Sequence, residues 1–266
     1  MGQSFVTDFK AGAAGSIGAA YVARARPDGY TLLVLTTSVT GAAALYKDLS
    51  YDTVRDFAPI SLINKRVPLM VAYPGFGPRD FKEYLAYARA NPGKVNIGNS
   101  GAGGSGHLAS AWMHNLAKVD VTFIHYKGAG PQLVDLIAGR VDVAVMAVLA
   151  SLPLIKSGKV RPLVIMDDKR SSSLPDLPTA AEQGLTGFSY SNWLGLAAPG
   201  ATPSAIVNKL SEAMARVVKM PDVAGPLEAE GIVMVGSTPA QLKQVMVTEV
   251  ERWRKVVQDN RISLDE

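Results

Sequence analysis

The stretch VNIGNSGAGGSGH, Val95–His107, runs from an apolar strand into a loop of glycines and hydroxyls, and LASAWMHNL continues it as a helix. Glycines let the backbone approach a ligand closely, and the free N–H groups at a helix start attract anions. The design recurs at once in VTFIHY (Val121–Tyr126), KGAG and the helical PQLVDLIAG. Two such loops after consecutive strands predict a protein that grips something negatively charged.

Outward from these loops, helix-like and strand-like segments alternate, which reads as α/β with mainly parallel strands. Phe5–Phe9 reads as a short strand, GAAGSIGAAYVARA as a helix of small residues, and TLLVLTTS as a buried strand ending in hydroxyls. Two extended stretches, Ile60–Pro74 and Phe188–Pro199, exceed the usual strand length of about 5–6 residues. Strands this long can leave one sheet and enter another. Between them lie the helix DFKEYLAYARA, both glycine loops, VDVAVM and the strand KVRPLVIM; helices over 203–220, 221–230 and 239–260 follow, each with proline near its first turn.

Composition narrows the function. A chain of 266 residues, 48% hydrophobic, can bury one large core or two modest ones. The net charge of +4 is scattered rather than clustered, a mild bias toward anions without a nucleic-acid patch. With no cysteine, disulfides, thiol catalysis and thiolate metal sites are excluded. The N-terminus, MGQSFVTDFKAG, lacks the basic start and apolar run of a signal peptide, and no apolar run of about 18 residues spans a bilayer.

Other chemistries are weaker. Gly101–Gly106 formally matches GxGxxG, yet the strand that should end in a ribose-holding acid ends in His125, Tyr126 and Lys127. No GxSxG elbow is present, and the histidines lack metal-ligand spacing. His107 either donates to a ligand carboxylate or caps its own loop. Asp167 and Asp168 read as solvated loop residues, Trp112 and Trp253 as core, and Trp193 as either a ligand wall or plain packing.

Taken in order, GAAGSIGAAYVARARPDGYTLL, ALYKDLSYDTVRDFAPISLI, NSGAGGSGHLA, HYKGAGP, SLPLIKSGKVRPL, LPDLPTAAEQG, WLGLAAPGATP and VGSTPAQL resemble the Bug family of extracytoplasmic solute receptors, the binding proteins of tripartite tricarboxylate transporters. The resemblance implies an α/β, two-lobed periplasmic binding protein of the type II, Venus-flytrap kind with two crossover strands. It implies one lobe of residues 1–66 and 190–266 and another of 67–189. A small carboxylate is expected in the cleft and an integral membrane permease as partner, with a monomeric state and no catalysis, cofactor, metal or nucleic acid.

Carried onto this sequence, the family's ligand loop corresponds to Ser100, Gly101, Gly103, Ser105 and His107, and its second loop to Tyr126, Lys127 and Gly128. Thr36, Thr37 and Ser38 close a strand at the position where the family faces its ligand, and Ala147 and Trp193 complete the expected contacts. Gly104 and Gly106 replace the family's frequent serine and glutamine, while Met146, Ala147 and Val148 form an apolar wall. A carboxylate with an apolar body is therefore expected over an amino acid. Set against the family pattern, the chain is expected to be N-terminally truncated: it begins after the family's leader, first strand, glycine- and proline-rich loop and helix, and its first lobe is expected to lack them. The alternatives are an anionic-metabolite or nucleotide-dependent enzyme using Gly101–Gly106, and a shortened, non-binding remnant.

Overall fold

A computed structural model describes residues 4–10, 12–229 and 231–262. The chain divides into two compact units: one contains the chain up to Lys65 and Trp193–Gln258, the other Arg66–Asn192 and Asp259–Arg261.

In the first unit, α1 (Ser16–Ala23), β1 (Leu33–Thr36), α2 (Thr37–Leu45) and β2 (Phe57–Arg66) come early in the chain. In the second, β3 (Pro68–Ala72), α3 (Phe81–Ala90), β4 (Asn96–Asn99), α4 (Ser105–Ala117), β5 (Thr122–His125) and α5 (Ala129–Ile137) follow. They continue into β6 (Val143–Ala147), α6 (Val148–Lys156) and β7 (Arg161–Ile165). The first unit then resumes with β8 (Asn192–Pro199), α7 (Ser204–Val217), α8 (Pro221–Ala229), β9 (Ile232–Met234) and α9 (Pro239–Asp259).

The first unit's sheet has the order β1-β8-β2-β9, with β1 antiparallel to β8 and Leu33 opposite Ala197. Along β1 the side chains alternate as the two-residue period of a strand requires: Leu33 and Leu35 are buried, Val34 is exposed. Leu33 and Leu35 pack with Phe57, Leu62, Trp193 and Leu242 in the core. Gly195 of β8 is held small by neighbours, since a Cβ there would lie 3.1 Å from Leu242 and 3.3 Å from the Ser61 carbonyl.

The second unit's sheet has the order β5-β4-β6-β3-β7. Strand β3 is buried along its whole length between two antiparallel neighbours, so its sequence PLMVA is continuously apolar rather than alternating. Strands β5 and β6 both run parallel to β4. Their C-terminal ends therefore share one sheet edge, where α4, α5 and α6 all begin.

Several expectations are corrected. The second unit's sheet is mixed rather than mainly parallel, and in the first unit's sheet β1 and β8 are antiparallel. Phe5–Phe9 forms no strand, and Phe5, Val6 and Phe9 are exposed; an apolar alternation without a pairing partner cannot satisfy the backbone. The small-residue helix is shorter than read, because Ala13 and Ala14 take positive φ in a 3-10 turn before Ser16. Thr37 and Ser38 open α2 instead of ending β1, and α6, with Pro153 inside it, and β9 are elements the sequence pattern did not reveal.

Candidate functional site

The site in the second unit is built at the sheet edge where β4 and β5 end. After Asn99 the chain turns, with the Gly104 N–H donating to the Gly101 carbonyl at 3.3 Å and Gly103 at φ +67°. Helix α4 begins at Ser105, earlier than the apolar periodicity suggests, so Ser105, Gly106 and His107 form its first turn. The neighbouring loop is stitched to it: the Tyr126 N–H donates to the Asn99 carbonyl at 2.8 Å, and the Gly128 N–H to the Ser100 carbonyl at 3.1 Å. Gly128 caps α5 at φ +112° and ψ +173°, a region essentially reserved for glycine.

Helix ends leave orphan N–H donors that side chains usually satisfy. In α3, away from the site, Asp80 accepts from the Glu83 N–H at 2.9 Å and Glu83 accepts from the Arg79 N–H at 2.8 Å. Helices α4, α5 and α6 have no such side-chain cap: the residues before their first turns are Gly104, Gly128 and Ala147. The Cβ positions of Gly101, Gly106, Gly128 and Gly130 meet nothing within 4 Å. The first turns of α4, α5 and α6 thus carry main-chain amides with no side-chain cap, and their positive dipole ends lie at the one sheet edge where these helices begin.

The side chains around this edge have separate duties. His107 is buried and its Nδ1 accepts the Gly103 N–H at 3.1 Å, so the neutral ring carries its proton on Nε2. Burial, assisted by the nearby His125, pushes its pKa down to about 4. His107 therefore caps its own loop, one of the two roles the sequence left open. His125 packs edge-on against it at 4.5 Å between ring centres. The Tyr126 hydroxyl donates to Asp135 at 2.9 Å, and Asp135 also pairs with Arg140 at 2.7 Å. Lys127 is exposed beside Gly128, and Ala147 is exposed at the head of α6.

A network that sequence reasoning missed meets α4 at Ser105. Its hydroxyl donates to Asn192 Oδ1 at 3.0 Å, and the Tyr190 hydroxyl donates to the same oxygen. Asp167, expected as solvated, is half-buried: it accepts from the Ser191 hydroxyl and from the Asp168 N–H. Burial raises its pKa. The sequence placed Asn192 and Ser191 beside Trp193 but gave no sign of these long-range partners.

In the first unit, Thr36 caps α2 without a side-chain bond, and Ser38 is half-buried in its first turn. Thr37 is buried, and its Oγ1 accepts the Trp193 N–H at 3.1 Å. Trp193 itself is 4% exposed within the apolar core. Its ring is thus placed among core residues, the plainer of its two readings. Among the described residues no cluster of His, Cys, Asp or Glu could hold a metal, and no helix is long and apolar enough to cross a membrane.

Two units with open sheets and helix starts gathered at a strand-end edge define the class: a two-lobed α/β binding protein of the periplasmic kind. The chain belongs to the tripartite tricarboxylate transporter family receptors, whose family model matches residues 1–262. BugT of Bordetella pertussis is 30% identical over 99% of this chain and 82% of its own. Among solved structures, Rpa4515 of R. palustris with adipate superposes with a TM-score of 0.86 at 32% identity, covering 98% of this chain and 88% of that one. MatC from Rhodopseudomonas palustris with bound malate gives 0.80 at 35% identity, covering 92% and 85%.

Proposed function

We propose that the protein is a periplasmic receptor that captures a small carboxylate and passes it, as a monomer, to the integral membrane permease of a tripartite transporter. The observation that carries the reading is the pair of stitched loops, Asn99–Ser105 and Tyr126–Gly128, whose helices α4 and α5 start without side-chain caps. Adipate and malate in the related structures fit the same chemistry. Several modest amide hydrogen bonds hold an anion yet let it go, which suits a carrier better than a buried guanidinium would.

Ser100, Gly101, Gly103 and Gly128 are assigned to this cradle, with Lys127 as a nearby exposed cation. Ala147 is assigned as part of the apolar wall beside it. Titration calorimetry with malate, succinate and adipate is the test. Saturable binding of at least one is expected; a folded protein that takes none of a broad carboxylate panel would overturn the reading. Neither NAD nor ATP is expected to raise the melting temperature, since β5 ends in His125 and supplies no acid for a ribose.

A further inference from the structure

Ser105 and Tyr190 each possess one hydroxyl proton, and both protons are already spent on the same oxygen of Asn192. A hydroxyl has one donor and two acceptor lone pairs. While this arrangement holds, Ser105 faces a ligand at the α4 start as an acceptor only. It repels a carboxylate oxygen and welcomes a donor. The amides of the α4 and α5 first turns are the reverse, donors only.

From these roles we infer that Asn192 is a specificity-determining residue: by holding the Ser105 proton it makes the site select carboxylates that carry a hydroxyl beside the carboxylate over their deoxy counterparts. The inference rests on the carboxylate-receptor reading above and sharpens it.

A ligand ammonium could also donate, but the surroundings do not suit its charge. Asp167 has both oxygens engaged, by Ser191 and by the Asp168 N–H. Asp135 is paired with Arg140. The exit of β6 offers Met146, Ala147 and Val148, and Lys127 adds a like charge.

Only the Asn192 amide nitrogen retains donor capacity within the trio. Once Oδ1 is fixed by two hydroxyls, the side chain cannot flip to offer its oxygen elsewhere without breaking both bonds. The three residues come from two distant parts of the chain, with Ser105 in α4 and Tyr190 and Asn192 at the entry to β8. Their mutual fixing is therefore a property of the fold and not of the loop alone.

The experiment compares matched acids by calorimetry on the full chain: malate with succinate, lactate with propionate, and aspartate as the amino counterpart of malate. In the wild-type protein the hydroxy acid of the better-bound pair is expected to win by about 10-fold, the upper worth of one neutral hydrogen bond, with aspartate no better than succinate. Ser105→Ala removes the acceptor and Asn192→Leu frees the serine proton to donate, so both are expected to reduce that ratio to about 1. Melting curves establish that each variant is folded, and Tyr190→Phe, which removes one of the two donors to Oδ1, is expected to give an intermediate ratio. Equal binding of hydroxy and deoxy acids by the wild type, or a preference that survives in both Ser105→Ala and Asn192→Leu, overturns the inference while leaving the receptor reading intact. Failure of every acid to bind overturns both.

Discussion

Replacing Gly128 with valine is expected to weaken carboxylate binding by about 10- to 100-fold while the protein stays folded. The reason lies in the backbone. At φ +112° and ψ +173° a β-branched residue is strained by about 1–3 kcal/mol, although the space around its Cβ is open. The chain would escape the strain by rotating to an allowed φ, which swings the Gly128 N–H away from the Ser100 carbonyl and separates the two loops. Binding must then restore the strained form, and apparent affinity falls by the fraction of molecules that hold it. A loop on open space carries little of the core, so melting should change by only a few degrees.

Gly158→Val supplies the contrast. Gly158 also has positive φ, +67°, and open space, but it follows the C-terminal end of α6. That variant should cost comparable strain and leave calorimetric affinity for malate or adipate where it was. Wild-type affinity in Gly128→Val would show that the stitched loops are not what the ligand holds.

The same residues show how far the sequence could be read. The strand, glycine loop and helix around Val95–His107 are local features, and β4, the loop and α4 follow from hydrophobic period and glycine content. Asp80 with Glu83 likewise marks the start of α3 through a contact within one turn. What the sequence hid depends on partners far along the chain. Ser105 meets Asn192, 87 residues away, and Asp167 is drawn half-inside by Ser191, 24 residues away. No periodicity signals either contact. Helix α6 escaped because Val148–Lys156 is apolar nearly throughout and carries Pro153, so neither an amphipathic stripe nor a cap announces it. Phe5–Phe9 erred the other way, since alternation is a strand signal only where a neighbouring strand exists to pair with it.

Acidification from pH 6.5 toward pH 4 is expected to destabilise the second unit more than the first. His107 and His114 both lie in the second unit, and burial pushes each pKa down from 6.5 to about 4. His114 is sealed between the Tyr84 hydroxyl, which donates to its Nε2, and the Ser110 carbonyl, which takes its Nδ1 proton. In the unfolded chain the rings protonate near 6.5, while in the folded chain they resist until about 4. Their stabilising contribution is therefore complete above pH 6.5 and lost as pH falls through that window, by about 3 kcal/mol each at 1.36 kcal/mol per pKa unit.

The two together are comparable with the whole stability of an ordinary domain, about 5–15 kcal/mol. In the first unit the main buried ioniser, Glu249, works in the opposite sense. Burial raises its pKa, so its ionised form costs stability at neutral pH and the cost fades as it protonates. Asp167 offsets part of the second unit's loss in the same way.

Protonating His107 would set its Nδ1 proton against the Gly103 N–H and open the first turn of α4, so binding should decline with folding over this range. Ring-proton resonances followed by NMR are expected to show no titration of either histidine above pH 5, and His107→Gln, uncharged throughout, should remove about half of the acid loss. A histidine among these two that titrates near 6.5, or an acid limb that His107→Gln leaves unchanged, would show that burial does not hold these rings neutral.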